Sequence, residues 1–261
     1  MARDADRSRE GAQARLTRVA ALYDIHGNLP ALEAVLADVR REHVDAVVVG
    51  GDVVPGPMPR DVMDALLALD VPAHFVYGNG DHDTLLLRRG EEPARVPQQF
   101  RHLLRWSADQ LTAAHVSAME SWPLTLEIQH ATLGRILFCH ATARDDNQIF
   151  TRETPDERVA GIFAGVRSAV VVCGHTHMQF ARHVGDLRIV NAGSVGMPFG
   201  EPGAYWLLLD DDVRLRKTSY DLEEAAARVR RTDYPQPDEF AERSILRPPS
   251  EATMLAAFAP A

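Results

Sequence analysis

The stretch RVAALYDIHGNLPALEAVLADV, residues 18–39, decides the fold. Its opening apolar run, Val19 to Tyr23, has the length of a buried strand and stops at Asp24. Gly27 turns the chain, and Pro30 suits a helix's first turn, where its missing N–H leaves no bond unmade. Leu32, Val35, Leu36 and Val39 then recur at helical spacing with charges between them. The unit is strand, loop, helix.

Working outward, the unit repeats. Asp45 to Val49 is an apolar run ending at Gly50-Gly51-Asp52, and a loop with three prolines leads to a helix around Val62 to Leu69. Ala73 to Tyr77 is a third short strand, ending at Gly78-Asn79. Strands alternating with helices imply parallel pairing, and in open α/β sheets ligands collect at the carboxyl ends of strands. Residues 91–122 differ: helical spacing at Phe100, Leu103, Leu104, Leu111, Val116 and Met119, broken by prolines, predicts a helical insertion. Leu124 to His130 and Arg135 to Cys139 flank Gly134 as a hairpin that delivers His140. Ala169 to Cys173 is a strand ending at Gly174-His175, and Leu187 to Val190 precedes a loop over Asn191 to Gly196. Tyr205 to Leu209 and Val213 to Tyr220 alternate like antiparallel strands, and helices near Leu222 to Arg231 and Glu251 to Phe258 close the chain. The expected organisation is a frayed tail over 1–16, an α/β domain over 17–220, and a helical extension over 221–261 packed on that domain.

Composition narrows the function classes. The 261 residues are 46% apolar, enough for a substantial core, and the formal net charge of -9 argues against a broad basic surface for nucleic acid. No stable nucleic-acid complex is expected. Two cysteines, Cys139 and Cys173, can build neither a disulfide framework nor a Cys-rich zinc site, and read as core residues of a cytoplasmic protein. The first fifteen residues alternate charges and match no secretory signal, and no apolar run is long enough to span a bilayer.

Five short clusters each put oxygen or imidazole groups directly after an apolar strand: Asp24-Ile25-His26, Gly51-Asp52, Gly78-Asn79-Gly80-Asp81, His140, and Gly174-His175-Thr176-His177. Singly they are weak signals, since a Gly-Asp dipeptide is ordinarily a turn. Their joint order resembles the calcineurin-like metallophosphoesterase superfamily, from about Arg18 to Gly196, and the likeness is closest to small bacterial phosphodiesterase-type members. The resemblance implies an α/β fold, a four-layer α-β-β-α sandwich of two mixed sheets with the helical insertion added. It also implies a two-metal phosphoesterase, in which Asp52 bridges the cations. Asp24, His26 and His177 would complete one metal's protein shell, and Asn79, His140 and His175 the other's. Mixed nitrogen and oxygen donors suit manganese first, with iron, zinc, nickel or cobalt as alternatives. A hydroxide bridging the two ions would attack phosphorus.

The sequence departs from the family's Gly-Asn-His-Asp/Glu block, because Gly80 stands where many members carry a proton-donating histidine. His82, two positions on, is the candidate replacement if its loop turns back, against the preferred reading of a solvent-facing loop histidine. Asp81 is expected to orient a neighbouring group. Asn28, Asn79 and Arg144 are the candidate substrate contacts, with a helix cap as the alternative role for Asn28 and an exposed mixed-charge loop for Arg144. Ser194 is expected to serve backbone geometry. His43, His74, His102, His115, His130 and His183 read as surface or satisfied side chains, and Trp106 and Trp122 as packing the insertion onto the sheet. The implied substrate is a small phosphate ester or nucleotide, phosphodiesters first. Phosphomonoesters, phosphoproteins or dinucleoside polyphosphates are the alternative substrates, and a non-catalytic metal-binding scaffold is the alternative role. Nothing in the sequence sets an oligomeric state.

Overall fold

The computed structural model describes residues 15–259. β1 (Val19–Leu22), β2 (Ala46–Val49) and β3 (Ala73–Phe75) run parallel, as their short helical crossovers require. The second sheet takes β4 (Thr125–His130), β5 (Gly134–Cys139), β6 (Val170–Cys173), β7 (Phe180–Val184) and β8 (Leu187–Asn191) in the order β4-β5-β6-β8-β7. The chain then returns to the first sheet. There β9 (Ala204–Leu209) pairs antiparallel with β1 and β10 (Val213–Thr218) with β9, giving the order β10-β9-β1-β2-β3. Both sheets are therefore mixed.

The period of two in β1 splits its side chains between two cores. Ala20 and Leu22 join Leu32, Val35 and Leu36 of α1 (Leu29–Arg41) and Val62 and Met63 of α2 (Pro59–Leu67). Val19, Ala21 and Tyr23 instead meet Ile136, Phe138, Val170, Val172 and Val190 between the sheets. The Tyr23 hydroxyl crosses that layer to donate to the Val172 carbonyl at 3.0 Å, so this polar atom is satisfied within the core. On the outer face of the second sheet, Leu137, Cys139, Val171 and Ile189 pack with Val159 and Ile162 of α6 (Asp156–Ile162). The layers run helix, sheet, sheet, helix, as the resemblance implied.

Three local features differ from the sequence reading. A helix, α3 (Asn79–Arg88), starts at the residue where β3 was expected to end, so His82 sits on its first turn and not on a returning loop. Two glycines made that segment look like a turn, but Asp81 reaches back to accept from the Gly78 N–H at 3.0 Å and closes the helix start. The edge strand β7 had no clear signal. Trp122 stacks on Phe75 of β3 at 4.9 Å, as expected, but Trp106 turns its edge to Tyr234 of the C-terminal segment at 5.3 Å.

Within the insertion lie α4 (Arg101–Gln110) and α5 (Ala113–Glu120). The C-terminal segment holds α7 (Leu222–Arg230), α8 (Pro237–Phe240), a wider helical turn over Ala241–Leu246, and α9 (Glu251–Phe258). Its buried residues Ala225, Val229, Tyr234 and Phe240 cluster with Met58, Leu103, Trp106 and Met197. This joins the insertion to the C-terminus beside the loops at the carboxyl ends of the strands. Of the expected tail, residues 1–14 lie outside the described residues, whereas Leu16 pairs with His130. No described helix is long and apolar enough to cross a membrane.

Candidate metal centre

The loops after β1, β2, β5 and β6 meet at one end of the two sheets, knitted by backbone bonds. Asp24 N–H donates to Gly51 O at 3.0 Å, His26 N–H to Asp52 O at 2.9 Å, and Gly174 N–H to His140 O at 2.8 Å. Below them the Asn191–Gly196 loop closes the floor. Val195 N–H donates to Tyr23 O at 2.9 Å, and the Ser194 hydroxyl to Asp24 O at 2.7 Å, which leaves that serine no nucleophilic role. A Cβ on Gly196 would lie 1.8 Å from Ile25 O, so only glycine lets the two loops approach this closely.

Six described non-glycine residues have positive φ, and five belong to the site: Asp24 (54°), His26 (47°), Asp52 (50°), His175 (68°) and His177 (55°). Each such conformation costs on the order of 1–3 kcal/mol outside glycine and persists where surrounding structure enforces it. The strain turns five donor side chains into one volume.

In that volume, Asp24 Oδ1 lies 3.2 Å from His177 Nε2, 3.8 Å from His140 Nε2 and 3.9 Å from His26 Nε2. Asp52 Oδ2 is 3.6 Å from both His26 Nε2 and His140 Nε2. The Nε2 atoms of His26 and His177 face each other at 3.2 Å. Two groups have metal-ligand spacing: Asp24 with His26 and His177, and Asp24 with Asp52 and His140. Asp24 is thus common to both, while Asp52 Oδ2 is equidistant from one imidazole of each. Asn79 Oδ1 stands 3.1 Å from His140 Nε2, and the His175 ring lies 5.2 Å from the His140 ring. These two border the cluster without entering either compact group.

The remaining atoms of these side chains are held by backbone. His140 Nδ1 pairs with Gly50 O at 2.9 Å, His177 Nδ1 with Met197 O at 2.7 Å, and His175 Nε2 with Asn147 O at 3.2 Å. Because a carbonyl only accepts, each of these nitrogens carries a proton, which leaves the opposite nitrogen as the one that offers a lone pair when the ring is neutral. Asp52 Oδ1 accepts from Gly80 N–H at 2.7 Å and Asp24 Oδ2 from His175 N–H at 2.9 Å. The other Asp24 oxygen, Oδ1, is buried with no hydrogen-bond partner. That buried oxygen calls for a positive charge, which His177, opposed by burial but raised by its contact with Asp24 at 3.2 Å, supplies in the metal-free protein and a bound cation would supply in its place.

Proton affinities follow from the crowding. Burial pushes His26 down to about 3, helped by His177, and pushes His175 to about 3, helped by His140, so both imidazoles are neutral and able to ligate. Burial pushes the Asp52 carboxyl up to about 6, opposed by His140 and reinforced by Asp24. For Asp24 burial acts the same way, but His177 and His140 overcome it and hold this carboxyl below its usual range.

Other candidates fall elsewhere. Asn28 is fully buried, its Oδ1 accepting from Ala31 N–H at 3.2 Å as a helix cap and its Nδ2 donating to Gly196 O at 2.9 Å. It ties the floor loop to α1 and, being fully buried, is out of a substrate's reach. Arg144 directs its guanidinium to the Ala164 carbonyl, at the end of α6, and not into the cluster. His82 faces Asp146 Oδ2 at 3.4 Å and Arg95 Nη2 at 3.2 Å. Asp81 holds backbone and not an imidazole, accepting from Val54 N–H at 3.1 Å as well as from Gly78. His130 is fully buried, its Nδ1 accepting from the Thr132 and Leu133 N–H groups at 3.2 Å and its Nε2 unpartnered, so it is satisfied only in part.

Arg95 was not singled out in the sequence. Its Nε donates to Asp83 at 2.9 Å, its Nη1 to Asp146 Oδ1 at 2.7 Å, and its Nη2 to Asn79 O at 3.2 Å. One guanidinium therefore fastens α3, which carries Asn79, to the loop whose Asn147 carbonyl orients His175. An arginine flanked by glutamates and prolines carries no local signal of this.

A family model described as the calcineurin-like phosphoesterase superfamily domain matches residues 18–212. An uncharacterised protein of Methanocaldococcus jannaschii is 24% identical over 239 residues, covering 84% of this chain and 94% of its own. The phosphodiesterase YfcE of Escherichia coli is 28% identical over 198 residues, covering 73% of this chain and 85% of its own. The crystal structure of a metallophosphoesterase from Sphaerobacter thermophilus has a TM-score of 0.69 at 24% identity, covering 87% of this chain and 97% of that one.

Proposed function

The chain belongs to the calcineurin-like phosphoesterase superfamily and is a metal-dependent hydrolase of phosphate esters; from that premise we propose that it cleaves phosphodiesters, using two divalent cations. Asp24, His26 and His177 would hold one cation and Asn79, His140 and His175 the other, with Asp52 available to both. The observation that carries this reading is the meeting of two compact donor groups, Asp24 with His26 and His177 and Asp24 with Asp52 and His140, with Asp52 Oδ2 3.6 Å from one imidazole of each set. The mixed donor set favours manganese among the transition metals. The two buried thiols, with Cys139 pushed up to about 12 by burial, suit a reducing cytoplasm.

Two such cations, when bound, supply the acidity that makes water a nucleophile near neutral pH and offset charge gathering on the phosphate. The chain's own part is orientation. Backbone partners hold one atom of Asp24, Asp52, His140 and His177, so the free atom of each faces the site without reorganisation, and a backbone carbonyl likewise fixes His175 at its border. No imidazole stands at position 80, and none fits there. A Cβ on Gly80 would come within 2.7 Å of Val54 O and 2.8 Å of Pro55 Cδ. Without that proton donor, esters with acidic leaving groups turn over fastest. This and the similarity to a phosphodiesterase support diesters over monoesters.

The test is steady-state hydrolysis of matched p-nitrophenyl mono- and diesters by manganese-loaded protein. A higher kcat/KM for the diester is expected, and a clear monoester preference rejects the diester assignment. Asp52→Asn should abolish turnover with the circular dichroism spectrum unchanged; activity surviving that change removes Asp52 as the shared ligand.

A further inference from the structure

The metal cluster accounts for the phosphate but not for the organic groups attached to it. Of the cavities in the described structure, one of about 510 Å³ is lined by Ala169 and Leu187, at the amino ends of β6 and β8. Another, of about 310 Å³, is lined by Val44 and Val71, just ahead of β2 and β3. Both lie at the end of the sheets away from the ligand-bearing loops. A third, of about 340 Å³, adjoins the site.

Two of its lining residues are tied directly to a proposed metal ligand. The Met197 carbonyl is the partner of His177 Nδ1 at 2.7 Å, and the Phe199 ring stacks on the His177 imidazole, centroids 5.0 Å apart and planes 23° from parallel. The opposite walls come from the insertion, through Phe100, and from the C-terminal segment, through Tyr234, Phe240 and Met254. The volume falls at the small end of the roughly 300–1,000 Å³ range of sites for small organic molecules, and the mainly apolar lining is usual for them. Aromatic walls favour a flat aromatic guest by stacked and edge contacts, and methionine adapts to its outline. The charges at the cavity, Glu239 and Arg243, stand 3.5 Å apart and offset each other, so the lining offers no free cation for a second phosphate. Gln236 supplies an amide that can both donate and accept.

We propose that this cavity is the specificity pocket for the non-reacting organic group of the ester, and that this group is a neutral, flat aromatic ring of nucleobase size. The proposal rests on the phosphoesterase reading above and adds the substrate class. The insertion and the C-terminal helices then have one shared purpose: they wall a ring-binding site against His177.

The experiment compares two diesters with the same p-nitrophenolate leaving group, thymidine 5'-p-nitrophenyl phosphate and methyl p-nitrophenyl phosphate. Manganese-loaded protein should prefer the thymidine ester by tenfold or more in kcat/KM. Met254→Trp, which fills the cavity from a partly exposed position, should cut that preference at least fivefold. Equal use of both esters, or a preference unchanged in a folded Met254→Trp protein, overturns the pocket while leaving the phosphoesterase reading intact. Turnover of neither ester by protein containing manganese overturns that reading. Calorimetric titration of thymidine into metal-free protein then decides the pocket separately: binding lost in Met254→Trp supports it, and no binding to the unaltered chain overturns it. If Met254→Trp does not fold, Gln236→Trp repeats both arms from the cavity rim.

Discussion

Arg95 stands twelve positions from Asp83 and 51 from Asp146, yet joins both, together with the Asn79 carbonyl. Its removal should act through Asn79 and His175, two of the ligands proposed for the same cation. Outer partners of metal ligands typically change affinity about 10–100-fold. Arg95→Ala is therefore expected to weaken one of two manganese sites by that order and leave the other unchanged, measured by calorimetric titration. Arg95→Lys should restore little, since an ammonium cannot reproduce the paired contacts. Equal weakening of both sites, or of neither, contradicts this role. His82 makes a contrasting case. Loss of a working general acid costs about 100-fold or more, and His82→Ala should fall well short of that in kcat on a p-nitrophenyl diester. The proposed ligands were legible because each follows an apolar strand in a short motif. Arg95 was not, because its meaning exists only once residues 83, 95 and 146 share a surface.

The strands other than β7 and the first two helices could be read from apolar runs and helical spacing, but α3 could not. Its first turn contains Gly80, a poor helix former that packing against Val54 O and Pro55 demands. Gly80→Ala should accordingly cost about 1–3 kcal/mol, as overpacking does, despite alanine's better propensity; a stabilised protein in urea denaturation would show that the contact yields. At the other end of the first sheet, Asp45 Oδ2 accepts from Thr17 N–H at 2.7 Å, Thr17 Oγ1 at 2.8 Å and Arg18 N–H at 2.9 Å, clasping the start of β1 to β2. These bonds, the Thr17 backbone one foremost, hold its carboxyl below the ordinary range. The folded state thus binds this proton less readily than the unfolded chain. The stabilisation is complete above the unfolded value of about 3.9 and is lost as pH falls through the folded one. Asp45→Asn should cost about 0.5–1 kcal/mol at pH 7, a figure reduced for exposure to solvent. The difference from the unaltered protein should shrink in denaturation curves as pH falls below about 3.9.

At the scale of the molecule, the site is where the two sheets are joined. Asp24 and Asp52 follow strands of the first sheet, His140 and His175 strands of the second, and the His175 N–H to Asp24 bond spans them. A cation held by ligands from both sheets binds the folded chain and has no equivalent site in the unfolded one, so its binding free energy adds to stability. The left-handed backbone at Asp24, His26, Asp52, His175 and His177 works against the metal-free protein, and a cation would offset that strain and the unpaired Asp24 oxygen. Free manganese at a hundred times its Kd should add about 2.7 kcal/mol. At roughly 2–4 °C per kcal/mol for a chain of this size, Tm should rise by about 5–10 °C. Excess chelator should reverse the rise, and Asp52→Asn should lose most of it while keeping the metal-free Tm close to that of the unaltered chain. A scanning-calorimetry series in which manganese leaves Tm unmoved, or shifts Asp52→Asn equally, would mean that the ion does not sit between the sheets.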